Sequence, residues 1–373
     1  MLPWLDRVRE LVPDIEPLDA HTHIGFNDPD GFSCTGEELA AALAQIGARA
    51  FVFPMHEPDG YSAANDMVIE EAEGSESLFP FARLDPHDDA LSEVERALER
   101  GARGIKLHPR AEQFALDHPA LEPVFALADE RRLPIMVHAG RGIPALGRHS
   151  VALTGRHPGM RLILAHAGIS DLAWIWREAP DHPNLFFDTS WWSPSDLQAL
   201  FALVPPGQIL MASDAPYGSP TWATVMAGRN ALQAGLDARQ TRAVLGGQAL
   251  RLVNGEEPLD LGAPPGVEHL PRDPLLDRVH AFLMSAIGQM FQGVEPAETL
   301  QLVRLACDVG EDAPQAPICR WVVELLDERE RYSPEGDGRP TRFAPGLHLA
   351  VGALGVVRTP DVPVPAFRPP ADG

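Results

Sequence analysis

Lysine is almost missing from this sequence. Of 30 basic residues in 373, all but Lys106 are arginine, and they face 53 acidic residues, for a formal net charge of −23. A shortage of positive charge argues against nucleic acid and anionic lipid as partners, because both are held through Lys and Arg. Cysteine is scarce as well. Cys34, Cys307 and Cys319 are odd in number and widely scattered, which supports neither a disulfide framework nor a structural zinc motif. No apolar run reaches the ~18 residues of a membrane span. The opening MLPWLDRVRELVPDIEP carries charges throughout and does not read as a signal peptide. The expectation is a soluble, cytoplasmic protein without nucleic acid or membrane as a partner. Assembly into a homo-oligomer stays open.

A hydrophobic content of 45% is ample for a buried core. The chain is long enough for two or three domains of about 150 residues, or for one α/β barrel of about 250 with an extension. The arginine bias itself has a plain source: GC-rich codons favour Arg, Ala, Gly and Pro, and there are 37 Pro and 32 Gly. That bias explains scarce lysine, not the survival of one. Lysine can work as a neutral amine when desolvated, whereas arginine cannot.

Short apolar or β-branched runs recur at 17–21, 50–54, 78–84, 103–107, 134–138, 161–166, 184–188 and 209–213. Amphipathic helical patterns lie between them, clearest at 37–46, 88–100 and 119–131, and two more follow at 220–234 and 237–253. Eight strand–helix units at this spacing predict an α/β fold, a (β/α)8 TIM barrel over residues 1–255, with an open doubly wound sheet as the alternative. Several strands are apolar almost throughout, as parallel strands covered on both faces should be. A Pro- and Gly-rich linker then leads into helical patterns at 275–291, 296–308 and 315–330, so 256–332 reads as a linker and C-terminal helical extension. Residues 333–373 read as a Pro-rich, loosely ordered tail, in which 347–358 could dock on the body.

A barrel keeps its chemistry at the C-terminal ends of its strands. The expected strand ends carry His21 and His23, His56, Lys106 and His108, His138, His166, Asp188 and Asp214. A lone histidine there is usually a hydrogen-bonded structural residue, and a lone aspartate a helix cap. Together they point elsewhere. The His-x-His spacing puts two imidazoles on one side of a strand, and His138, His166 and Asp214 arrive from other strands, which makes a ligand set for zinc or a similar divalent ion.

The sequence resembles the amidohydrolase superfamily of metal-dependent barrels, in its amidohydrolase-related branch. The resemblance is carried by DAHTH at 19–23, GIKLHP at 104–109, VHAG at 137–140, LAHAG at 164–168, SDAP at 213–216 and LGGQALRLV at 245–253, where Gln248 replaces a frequent Asn. It covers roughly 17–255 and leaves the C-terminal segment unaddressed. It implies that His21, His23, His138 and Asp214 bind a divalent metal, Zn2+ first among the candidates. His166 would bind a second ion or polarise the substrate, Asp214 would move the proton of the activated water, and Lys106 would bridge two ions as a carbamate or stay an ammonium. The catalytic set is thus Asp214, His166 and Lys106, and the metal set is His21, His23, His138, His166, Asp214 and Lys106. The implied reaction is hydrolysis of an amide, ester or lactone carbonyl by metal-activated water. The alternatives are non-oxidative decarboxylation of a small carboxylic acid and a non-catalytic metal-binding role. Residues that follow strand ends, His56, His108, Arg110, Arg141, Trp191, Trp192 and Tyr217, are the candidates for substrate contact.

Overall fold

The strands are β1 (Leu18–Ile24), β2 (Arg49–Pro54), β3 (Leu78–Leu84), β4 (Gly104–Leu107), β5 (Pro134–Val137), β6 (Arg161–Leu164), β7 (Leu185–Asp188) and β8 (Ile209–Leu210). They pair in sequence order, every neighbour parallel, in this computed structural model, which describes residues 2–332 and 343–366. Backbone amides of Ala20, His23 and Asp214 donate to the carbonyls of Met211, Ala215 and His21, which draws the end of the sheet back onto β1. The result is a (β/α)8 barrel. The open-sheet alternative fails because the strand order never reverses. Each expected strand coincides with an observed one to within a few residues.

Aromatic side chains fill the barrel. Phe51 and Phe81 stack at 4.7 Å, Phe53 meets Phe81 edge-on at 5.1 Å, and Met136, Ile163, Phe186 and Leu210 complete the interior. Outside, the helices cover the strands, and their starts carry local signals. Thr35 accepts from the Glu38 amide while Glu38 accepts from the Thr35 amide, a reciprocal cap on helix Gly36–Ala44.

The extension is built of helices Pro274–Met290, Ala297–Ala306 and Ala316–Arg331, close to the expected spans. Past the segment 333–342, which lies outside the described residues, a further helix runs over Leu347–Val357 and is buried on nearly every side. The chain from 343 to 366 is therefore docked on the body rather than loose; 367–373 lie outside the described residues. Trp222 and Met226 of helix Pro220–Gln233 lie so close to Gly352 and Gly355 that a Cβ at either glycine would come within 2.4 Å of them. Arg229, fully buried, donates to the Thr359 hydroxyl and to the carbonyls of Thr359, Val362 and Pro363. One apolar cluster runs from Trp4, Leu39 and Trp222 on the barrel side to Leu283, Val303 and Leu326 in the extension. The division of the chain near residue 255 thus has no matching gap in the core.

Helix Leu2–Leu11 is absent from the sequence reading, although Trp4, Leu5 and Val8 mark its buried face. Trp4 packs edge-on between Trp222 and Trp321 at 6.2 and 5.0 Å. No helix among the described residues is long and apolar enough to cross a membrane.

Candidate active site and metal centre

Strict alternation along β1 would send Leu18 and Ala20 to one face and His21 and His23 to the other. Yet Leu18 and Ala20 belong to the interior cluster, and both histidine rings lie within 5.5 Å of Phe53 in that same interior. The pairing of β1 with β2 shifts register between Asp19 and Thr22. This irregularity rephases the strand, as bulges beside active sites do.

His21 Nε2 and His23 Nε2 are 3.1 Å apart, and Asp214 Oδ1 lies 3.2 and 3.3 Å from them. Among the described residues these are the one set of three His, Cys, Asp or Glu donors close enough to share an ion. Asp188, fully buried at the end of β7, fixes the most buried of the three donors. His21 Nδ1 donates to its Oδ2 at 2.7 Å, so Nε2 keeps a lone pair. Asp188 Oδ1 in turn accepts from the amides of His166 and Ser190 and from the Ser190 hydroxyl. Burial lowers the pKa of both His21 and His23, which favours the neutral, ligating imidazole. Burial acts upward on the Asp214 carboxyl, but the surrounding histidines, His23 through a hydrogen bond, hold it below its ordinary value. Two neutral imidazoles and one carboxylate with an open side are the ligand set of catalytic divalent ions, so the residues fit the implied metal.

Lys106 is fully buried, its Nζ 2.8 Å from His21 Nε2 and 4.8 Å from the centre of the Phe53 ring. Burial brings its amine down to about 7, against the pull of Asp214. His166 and Asp214 both hold left-handed backbone, φ 55° and 58°, a conformation costly outside glycine and frequent at functional sites.

His138 and His166 form a second pair beside the first. His166 Nδ1 must donate to the Ser190 carbonyl at 2.8 Å, which leaves its Nε2 to accept from His138 Nδ1 at 3.0 Å. His138 Nε2 then lies buried against Gly140, where a Cβ would meet it at 2.5 Å, and has no partner. His138, expected as a ligand beside His21 and His23, therefore stands outside the three-donor set. Its ring stacks on His108 at 3.9 Å. His108 accepts from the Ala111 amide.

The remaining expected contacts are spread around the mouth. Tyr217 donates to Asp28 at 2.5 Å, with its ring 6.0 Å from that of His23. His56 is 4.0 Å from Glu112. Trp191 lies 6.1 Å from the His166 ring and donates to Asp196, and Trp192 leans on Phe291 of the extension. Arg110 and Arg141 are exposed. Sequence reading passed over Asp19, Ser190, Arg83, Glu112 and Tyr61, and it noted Asp188 only as a strand end. Asp19, in the same DAHTH segment, accepts from the amides of His21 and Ser213 and so ties β1 to the turn that carries Asp214. Arg83 is the penultimate residue of β3, where a charged residue in an apolar strand was the available signal.

The amidohydrolase family model matches residues 18–255, and the chain belongs to that family. 5-Carboxyvanillate decarboxylase from Sphingomonas paucimobilis shares the fold with a TM-score of 0.52 at 16% identity, over 65% of this chain and 99% of its own. 2,6-Dihydroxybenzoate decarboxylase from Rhizobium gives 0.51 at 16%, over 64% and 98%. A 5-carboxyvanillate decarboxylase from Novosphingobium aromaticivorans, complexed with manganese, gives 0.51 at 13%, over 65% and 96%. Comparison with curated proteins gives no match.

Proposed function

We propose that the protein is a metal-dependent hydrolase that cleaves an amide, ester or lactone carbonyl of a small molecule. The convergence of His21 Nε2, His23 Nε2 and Asp214 Oδ1 carries this reading. A divalent ion held there, zinc first and manganese next, would supply Lewis acidity toward the carbonyl and lower the pKa of water.

The chain's own residues would do the rest. Asp188 holds His21 in the ligating tautomer. Asp214, ionised at neutral pH, accepts the proton of the attacking water and returns it to the leaving group. His166 turns its Nε2 lone pair toward His138, and with that hydrogen bond given up it would serve as a base or a ligand to a second ion rather than as a donor to the substrate oxygen. Lys106, partly neutral near pH 7, is available as a carbamate precursor between two ions or as a hydrogen-bond donor to substrate.

Decarboxylation of a small carboxylic acid is the second reading. It is favoured by Lys106 and Arg83, cross-strand neighbours and both buried, which could receive a carboxylate, and by the decarboxylases among the solved neighbours. Elemental analysis, together with a panel of esters, lactones, anilides and 13C-carboxylates, tests both. Bound metal with turnover of the first three substrate types is expected. Labelled CO2 release alone would replace the hydrolase by the lyase, and a metal-free, inactive protein would remove both.

A further inference from the structure

Three cysteines are scattered along the chain, and the fold brings two of them together in the extension. Cys307 caps the C-terminal end of helix Ala297–Ala306, and Cys319 stands one turn into helix Ala316–Arg331. Between the helices the chain doubles back through 308–315. There the Val309, Ala313 and Ala316 amides donate to the carbonyls of Cys307, Gly310 and Ala313, and Gly310 takes left-handed backbone at φ 82°. Away from the turn the same two helices are tied by Arg304, which pairs with Asp327 at 2.6 Å and with Glu330 at 2.9 Å. Across this fixed helix pair the Cys307 thiol donates a hydrogen bond to the Cys319 sulfur.

Both cysteines belong to the apolar cluster that joins extension to barrel, at 8% and 2% exposure. They do not form a metal site: among the described residues, no His, Asp or Glu completes a three-donor set with them. Sulfurs already in hydrogen-bond contact need only a short approach to reach the ~2 Å of a disulfide. The two thiols are also unequal. The hydrogen bond from Cys307 lowers the Cys319 thiol, while the same bond and burial raise Cys307. The first turn of a helix favours an anion as well, so Cys319 is the nucleophile and Cys307 the thiol that resolves. Cys34 is the built-in contrast. Its thiol donates to the Thr35 carbonyl at 3.4 Å, and burial, with Glu38 nearby, pushes it up to about 11.

We propose that Cys307 and Cys319 are a reversible dithiol–disulfide pair, oxidised by a small hydroperoxide, that fastens the end of one extension helix to the start of the next. Burial of both sulfurs selects an oxidant near the size of water over a bulky disulfide. The Cys319 thiolate attacks one peroxide oxygen; the O–O bond breaks, hydroxide leaves and takes a proton to become water, and Cys319 becomes a sulfenic acid. The Cys307 sulfur then attacks the Cys319 sulfur, the S–O bond breaks, and the oxygen leaves as water with the Cys307 proton. Two thiols and one hydrogen peroxide become one disulfide and two waters, sulfur being oxidised and oxygen reduced.

The test treats the reduced, full-length protein with hydrogen peroxide, stops the reaction with catalase, and counts thiols and intact mass after unfolding. The count should fall from three to one, with loss of the mass of two hydrogen atoms. Digestion without reductant should recover Cys307 joined to Cys319, with Cys34 still open to alkylation, and dithiothreitol should restore all three thiols. The pair should disappear at least about tenfold faster than Cys34. In Cys307→Ser the resolving sulfur is gone, so Cys319 should stop at the sulfenic acid and be captured by dimedone. If that variant does not fold, mapping of the wild-type protein decides alone. Loss of Cys34 as fast as the pair, thiols lost singly with gain of oxygen, or three thiols surviving peroxide that oxidises free cysteine overturns the proposal.

Discussion

Lys106 donates to His21: its Nζ lies 2.8 Å from Nε2, the lone pair that a metal ion would take. The one lysine of the chain thus shares an atom with the candidate metal centre. Lys106→Met removes the amine at similar volume and should leave the fold and the metal content intact while turnover falls at least about tenfold. Lys106→Arg should lose as much and also destabilise by roughly 1–3 kcal/mol, since a longer side chain must fit a fully buried site. Steady-state kinetics and thermal melts decide both. Near-normal turnover in either would make the lone lysine an accident of codon usage.

Removing two of the three donors should empty the site. His21→Ala/His23→Ala is expected to lose bound metal on elemental analysis while the far-UV circular dichroism stays that of a barrel. Equal metal in the variant and wild type would place the ion elsewhere.

Asp188 touches no candidate ion, yet it sets the tautomer of His21. Asp188→Asn presents either an amide N–H or a weaker acceptor to Nδ1. Metal affinity, read by competition with a chromophoric chelator, should drop about 10–100-fold. An unchanged affinity would mean that His21 does not depend on this partner.

Burial raises the Asp19 carboxyl from 3.8 to about 7, against the amides that donate to it. The unfolded carboxyl ionises near 3.8 and the folded one near 7, so the stability linked to Asp19 is full below 3.8 and lost as the pH climbs through 7. The shift corresponds to roughly 4 kcal/mol. In metal-free protein, the stability of wild type relative to Asp19→Asn should therefore be greater at pH 5 than at pH 8, measured by urea unfolding. A difference independent of pH would refute the shift.

The extension should be inseparable from the barrel. Truncation after Asn254 would uncover Trp4, Trp222 and Val225, which now face the extension in one cluster, so the product should aggregate or bind a hydrophobic dye. In the full chain, Arg229→Ala leaves three carbonyls without their donor and should cost on the order of 3 kcal/mol. It should also speed proteolysis of the segment around Thr359. A soluble, equally stable truncated barrel would show the extension to be an independent appendage.

Local pattern was enough to read eight strands, most of the helices and the polar residues at the strand ends, because apolar periodicity and caps are short-range signals. His21, His23, Lys106 and Asp214 were legible for the same reason: each breaks an apolar run where a barrel opens. Their partners were not. That Lys106 meets His21, that Asp188 holds His21, and that Glu112 is paired with Arg83 through one oxygen only all depend on side chains brought together from strands far apart in the chain. His138 had the same sequence signal as His23, yet its ring stacks on His108 and turns from the three-donor set. The sequence by itself determined the βα order, the charge balance and the inventory of chemistry at the barrel mouth. The tertiary structure alone decided which imidazole keeps a free lone pair and which carboxylate oxygen is left without a donor. Register between strands, and the β1 irregularity above all, sets those pairings, and no residue's neighbours in the chain encode them.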